Sequence, residues 1–178
     1  GENLVRFACV KSDRWRSVGR GGMGAVLGSK KVKAISFSGR LTPEIADKEL
    51  LDRIVRDLAK ETRDSPVTEI YRKLGTPSQV KVTNQAKCFP THYWQSGQFD
   101  KWENLSADYM QENFEVKACG CPTCFLRCTK HSKVLHGRHK GLELEGPEYE
   151  TIYAIGGLND VDSLEEVAFL NELCDRLG

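Results

Sequence analysis

No stretch of this 178-residue chain approaches the ~18 consecutive apolar residues of a membrane-spanning helix. A secretory leader is lacking too, so the sequence predicts a cytoplasmic protein without membrane attachment. Charge of one sign is scarce: 26 basic side chains face 25 acidic ones, a net of +1, which provides no field to recruit nucleic acid or an anionic membrane. Internal repeats and low-complexity tracts are absent, which sets aside solenoids and disordered linkers. Initiator methionine is missing as well. The chain opens at Gly1-Glu2-Asn3, enters a strand-like run at once and closes inside a helical pattern at Leu177-Gly178, so we expect a piece of a longer protein.

What is abundant is cysteine, and in one place. Of seven cysteines, four fall between Cys119 and Cys128 in Cys-Gly-Cys-Pro-Thr-Cys-Phe-Leu-Arg-Cys. An odd count in a reducing compartment argues against a disulfide framework, and thiolate is the soft ligand that iron–sulfur clusters and zinc require. The spacing Cys121-x2-Cys124-x3-Cys128 predicts a tight turn, helped by Pro122, and the first turn of a following helix, which together aim three sulfurs at one cluster. A fourth ligand has to come from elsewhere. Cys119, two residues before Cys121, reads as a neighbour, and Cys174 reads as a core thiol on the last helix. The rival reading is a non-catalytic zinc module gripped by Cys119, Cys121, Cys124 and Cys128, although structural zinc sites normally pair two knuckles across a longer loop.

Around this cluster the pattern predicts an α+β chain. Residues 1–40 read as strand, glycine loop, strand, with β-rich runs at 4–10 and 33–37 and a helical turn near 25–27. Residues 41–178 read as mostly helical. Thr42 as N-cap, Pro43 behind it, and Leu51, Ile54, Val55 and Leu58 at three-to-four spacing predict an amphipathic helix over about 43–63. A second helix over about 66–74 stops at Gly75, and the aromatic stretch 87–97 reads as an ordered loop. Further helices are expected at 105–114, from Pro147 to Gly156-Gly157, and from Ser163, which forms a capping box with Glu166 and leads a stripe of Leu164, Val167, Leu170, Leu173 and Cys174. Residues 129–145 suggest a polar hairpin, with His131, His136 and His139 in a solvated basic face.

The glycine loop, Gly19-Arg20-Gly21-Gly22-Met23-Gly24, satisfies G-x-G-x-x-G but not its context. Residues 13–16 intervene after the strand, and Gly28 cuts the following helix short, so a dinucleotide fingerprint is not supported. A P-loop order is absent. Four glycines still expose backbone N–H groups, and Arg20 offers a planar fork for an anionic or heteroaromatic ligand, so ligand loop and plain structural turn both stay open.

Read in order, Gly19 through Ile35, the three spaced cysteines, and Gly146-Pro147-Glu148-Tyr149-Glu150-Thr151 resemble the aldehyde ferredoxin oxidoreductase family. Weaker echoes at Leu74-Gly75-Thr76, Phe89-Pro90-Thr91 and Asn171 to Gly178 extend the similarity along the whole chain. The resemblance implies a tungsten, or molybdenum, bis-pyranopterin beside a 4Fe-4S cluster. By it, residues 1–40 look like the end of a β-rich cofactor-base domain and 41–178 like the first part of a helical domain. Arg20, Gly21, Gly22 and Gly24 would meet the pterin, and Cys121, Cys124 and Cys128 would hold the cluster, with its fourth cysteine beyond residue 178. Glu148 would lie near the metal as the proton-handling carboxylate; a helix N-terminus decorated with acids is the plain alternative. The implied reaction is oxidation of a small aldehyde to a carboxylate, with electrons leaving to ferredoxin or another electron-transfer protein under anaerobic conditions, and a homodimer left open. His92 and its aromatic neighbours keep open an aromatic acyl-CoA substrate of the benzoyl-CoA reductase type. The piece by itself is expected to hold no complete cofactor and show no activity.

Overall fold

The computed structural model describes residues 1–12 and 15–177. Asp13 and Arg14, within the segment set between strand and glycines, and Gly178, at the end of the last helical pattern, lie outside the described residues. The chain is α+β and divides into two compact units, residues 1–54 with 174–178, and residues 55–173.

In the first unit, strands β1 (Val10–Ser12) and β2 (Arg16–Val18) pair antiparallel with Val10 opposite Val18. Helix α1 (Met23–Ser29) follows the glycines. The strands expected over 4–10 and 33–37 do not form as such: only the end of the first is extended, and residues 32–45 carry no regular structure. A β-propensity run becomes a strand only against a partner ladder, and no described strand pairs with 33–37, whose Ile35 and Phe37 stay exposed. Helix α2 (Lys48–Thr62) starts later than Thr42-Pro43 predicts, because Asp47 Oδ1 accepts the Leu50 N–H at 2.8 Å and takes the capping role. Its stripe of Leu51, Ile54, Val55 and Leu58 is exposed, and no residue of the helix is buried.

The second unit holds the main core. Helix α3 (Pro66–Leu74) begins where local chemistry says it should: Ser65 Oγ accepts from Thr68 N, Pro66 occupies the first turn, and Gly75 at φ 72° ends it. A 3₁₀ turn and α4 (Gln79–Gln85) follow, then α5 (Ala107–Asn113), whose cap Ser106 accepts from Tyr109 N at 3.1 Å. Val80, Phe89, Leu105, Met110, Phe114, Val134, Leu144, Ile152, Leu164 and Val167 are buried together in sequence-distant elements. Each such side chain contributes roughly 1.5–3 kcal/mol by leaving water.

On this core lies an antiparallel sheet, β3 (Phe114–Cys119), β4 (Thr129–Val134) and β5 (Glu143–Glu145), in that order with β4 central. The expected hairpin over 129–145 is present as β4 and β5, while β3 is an addition, entered directly from the end of α5. His139 departs from the expected solvated face. It is stacked on Phe169 at 4.4 Å and 11°, with Nε2 3.0 Å from Glu166 Oε1, because the hairpin tip folds onto a helix rather than into water.

Beyond the sheet, α6 (Tyr149–Thr151) passes into a π-helical turn over Ile152–Gly156 and a 3₁₀ turn over Gly157–Asn159, where one continuous helix to Gly156-Gly157 is expected from sequence. Helix α7 (Leu164–Leu177) buries Leu164, Val167 and Ala168, and Ser163 Oγ accepts from Glu166 N at 3.3 Å, the first half of the expected capping box. Cys174 corrects the core-thiol reading. It follows Val167 by two turns on the same stripe, yet it is exposed, since the core backs only the first part of the helix. Among the described residues no helix is long and apolar enough to cross a membrane.

Candidate metal and cofactor site

Cys121, Cys124 and Cys128 sit on one loop, residues 120–128, that joins β3 to β4 and is closed by the pair Cys119 and Thr129. This replaces the helical turn expected after the cysteines. β4 is hydrogen-bonded on both edges, so the chain leaving Cys128 is drawn into the sheet instead of a helix. The loop reverses through left-handed Thr123 and Arg127, at φ 65° and 47°, with Cys124 N donating to Cys121 O at 3.1 Å. Gly120 is required by contact, as a Cβ there would come within 2.9 Å of Arg127 Cα. Arg127 Nη2 donates to Ala118 O at 2.8 Å, and Arg63 lies 5.8 Å over the Phe125 ring.

All seven cysteines are free thiols. Cys121 and Cys124 are exposed and Cys128 is half-buried. Among the described residues no three His, Cys, Asp or Glu side chains converge as a metal-holding group, so the thiols share a loop without sharing a centre. Cys119 Sγ points instead to Glu145 Oε1 at 3.7 Å.

Under this loop lies a residue that sequence patterning does not single out. Lys130, on β4, is 2% exposed. Its ammonium donates to Tyr71 O and Arg127 O at 3.0 Å each and to Cys128 O at 3.2 Å. Burial pushes this ammonium below the ordinary lysine range, and the nearby Cys128, Glu148 and Cys119 acids oppose that shift. A lysine in a polar strand reads as solvated, and only its place on a doubly paired strand reveals otherwise.

Glu148 caps α6 and is half-buried. Thr76 Oγ1 donates a short hydrogen bond to Glu148 Oε2 and accepts from Tyr149 N at 3.0 Å, so one hydroxyl orients both the carboxylate and the helix start. Glu150, in the same motif, is exposed. His92 is engaged structurally. Its Nε2 lies 3.1 Å from Asp160 Oδ1, and its N–H donates to Gly157 O, inside a loop where His92, Tyr93 and Trp94 are all left-handed. Beside that loop, Tyr149 meets Tyr153 edge-on at 5.3 Å, and Trp94 lies 6.3 Å from Tyr153.

In the first unit, Gly21 and Gly22 adopt φ 80° and 66°, conformations that only glycine holds without strain. A Cβ on Gly21 would meet nothing within 4 Å, whereas one on Gly24 would strike Cys9 O at 2.5 Å. Gly24 is therefore a close-packing residue against residues 8–9, Gly21 faces open space, and Arg20 is exposed between them and β2.

Residues 53–178 match the family model for aldehyde ferredoxin oxidoreductase, domains 2 & 3, and residues 1–39 match that for the aldehyde ferredoxin oxidoreductase N-terminal domain. The chain belongs to the aldehyde ferredoxin oxidoreductase family. Within that family it is 36% identical over 182 residues to the tungsten-containing aldehyde ferredoxin oxidoreductase of Pyrococcus furiosus and 37% identical over 182 residues to that of Thermococcus kodakarensis. Both alignments cover 100% of this chain and 29% of the relative. An aliphatic sulfonate oxidoreductase, WOR-like subunit, of Pyrococcus furiosus is 30% identical over 180 residues, covering 28% of its length. The chain thus spans under a third of these relatives.

Proposed function

We propose that this chain forms part of a tungsten, or molybdenum, bis-pyranopterin oxidoreductase that converts a small aldehyde to its carboxylate and passes electrons through a 4Fe-4S cluster to ferredoxin. The observation that carries this reading is the hairpin loop presenting three free thiols in a chain of this family. The donor set fits an iron–sulfur cluster in its chemistry, since soft thiolates at this spacing are what such clusters take. Gly21 suits a flat ligand by its open, side-chain-free backbone, while Gly22 packs on the Arg6 carbonyl, which a Cβ there would meet at 2.4 Å.

When bound, the metal pterin and the cluster supply two-electron oxidation with oxygen from water and single-electron relay. The chain's own residues do the rest. Cys121, Cys124 and Cys128 would hold the cluster on a loop braced by Arg127 and Gly120. Arg20 would offer its fork to pterin or phosphate oxygens, with Gly21 allowing close approach and Gly22 letting the turn fold onto the Arg6 carbonyl. Thr76 holds Glu148 Oε2 in place, which leaves Oε1 as the atom to take up a proton. We assign residues 1–40 to a cofactor-base domain and 41–178 to the start of the helical part, working in an anaerobic cytoplasm where thiolate-held iron survives.

The test is metal analysis and an absorption spectrum on protein expressed anaerobically from its complete reading frame. Tungsten or molybdenum with about four irons is expected; zinc alone, without a brown chromophore, overturns the reading. Assays of aldehyde oxidation beside aromatic thioester reduction and sulfonate turnover then settle the substrate.

A further inference from the structure

We propose that Lys130 is a positioning residue for the cysteine loop, its buried ammonium tying the carbonyls of Arg127 and Cys128 to the last turn of α3 and setting a fixed cation beneath Cys128. The inference builds on the cluster-binding reading of that loop, but its geometry stands apart from it.

The ammonium meets the carbonyls of Tyr71, Arg127 and Cys128 at 3.0, 3.0 and 3.2 Å, with that of Thr129 a longer contact at 3.5 Å. Tyr71 O belongs to the C-terminal turn of α3 and also accepts from Gly75 N at 2.8 Å; the negative end of the helix dipole lies there, so a cation is well placed. The same turn meets the cysteine loop by backbone contact: a Cβ on Gly75 would lie 2.6 Å from Cys128 O. Arg72 Nε adds a longer hydrogen bond, 3.4 Å, to Phe125 O. The loop is therefore docked on α3 at Cys128, the ligand nearest the sheet, while Cys121 and Cys124 stay exposed. A buried lysine spent wholly on backbone carbonyls is costly unless the charge itself has a use. Thiolates gathered on one loop repel one another, and a fixed cation below them offsets that repulsion and favours the more negative, reduced state of anything they bind.

Lys130→Met and Lys130→Arg in the full-length, anaerobically prepared enzyme test this. Lys130→Met should release metal to a chelator about tenfold faster, lose hydrogen-exchange protection at residues 127–130, and shift the cluster's reduction potential to a more negative value. Lys130→Arg keeps the cation and should hold the wild-type potential, while its planar fork, unable to reach all three carbonyls, releases metal several-fold faster. Unchanged potential and release rate in a folded Lys130→Met protein overturn the proposal. If Lys130→Met does not fold, Lys130→Arg decides: a displaced potential, or wild-type release, overturns it. If the wild-type protein carries zinc instead of iron, the oxidoreductase reading fails, whereas chelator release and exchange protection still report on Lys130.

Discussion

At Glu148 a single hydroxyl decides what the carboxylate can do. Thr76 both donates to Oε2 and accepts from Tyr149 N, so Thr76→Val removes the orienting partner and leaves the Tyr149 N–H unpaired. Losing a hydrogen bond to a charged group is worth about 1.5 kcal/mol, which is roughly tenfold in rate when the bond acts in the transition state. Thr76→Val is expected to lower kcat about tenfold with KM and iron content unchanged; full turnover in this variant would remove Glu148 from proton handling. Single residues were also where sequence patterns were least legible. The free thiols and the Gly-Pro-Glu motif stand out by residue type alone. Lys130 and the exposure of Cys174 do not, because burial of a lysine and the end of a core are set by partners far away in the chain.

The elements divide by how local their instructions are. Helix α3 is legible to the residue because Ser65, Pro66 and Gly75 each act within one turn. We expect Ser65→Ala to cost about 1 kcal/mol in chemical denaturation. Gly75→Ala should cost more, about 1–3 kcal/mol, since φ 72° is strained for alanine and the new Cβ meets Cys128 O. The start of α2 is ambiguous in sequence because Thr42 and Asp47, five residues apart, both suit a cap, and Asp47 makes the hydrogen bond. At Cys128 the sequence alone is ambiguous, because Cys-x2-Cys-x3-Cys matches a helical period as well as a loop. Sheet pairing, a non-local choice, resolves it, and the same non-locality hid β3.

For the molecule as a whole, apolar exposure and titration give the accessible tests. Helix α2 leaves Leu51, Ile54, Val55 and Leu58 between 42 and 56% exposed. The 178-residue chain is therefore expected to bind a hydrophobic dye, and Ile54→Glu with Leu58→Glu to lower that binding without lowering the melting temperature, Phe37 and Leu41 keeping a remainder. Burial raises the Tyr109 and Tyr149 hydroxyls above the ordinary tyrosine value, with Glu165 accepting from Tyr109 at 2.9 Å. Both hold their protons more tightly folded than unfolded. Their contribution is thus complete below about pH 10 and lost as pH climbs through the raised values. Thermal melts from ~pH 9 to ~pH 11 should fall, and Tyr109→Phe should flatten the fall. The hairpin placement of the thiols has one further consequence. A residue inserted into a helix turns everything after it by about 100°, whereas one inserted between Cys121 and Cys124 is expected to leave the pairing of Cys119 with Thr129 in register. The spacing of Cys121 from Cys124 can thus be varied ahead of the contacts that Phe125, Arg127 and Cys128 make, with β3 and β4 left paired.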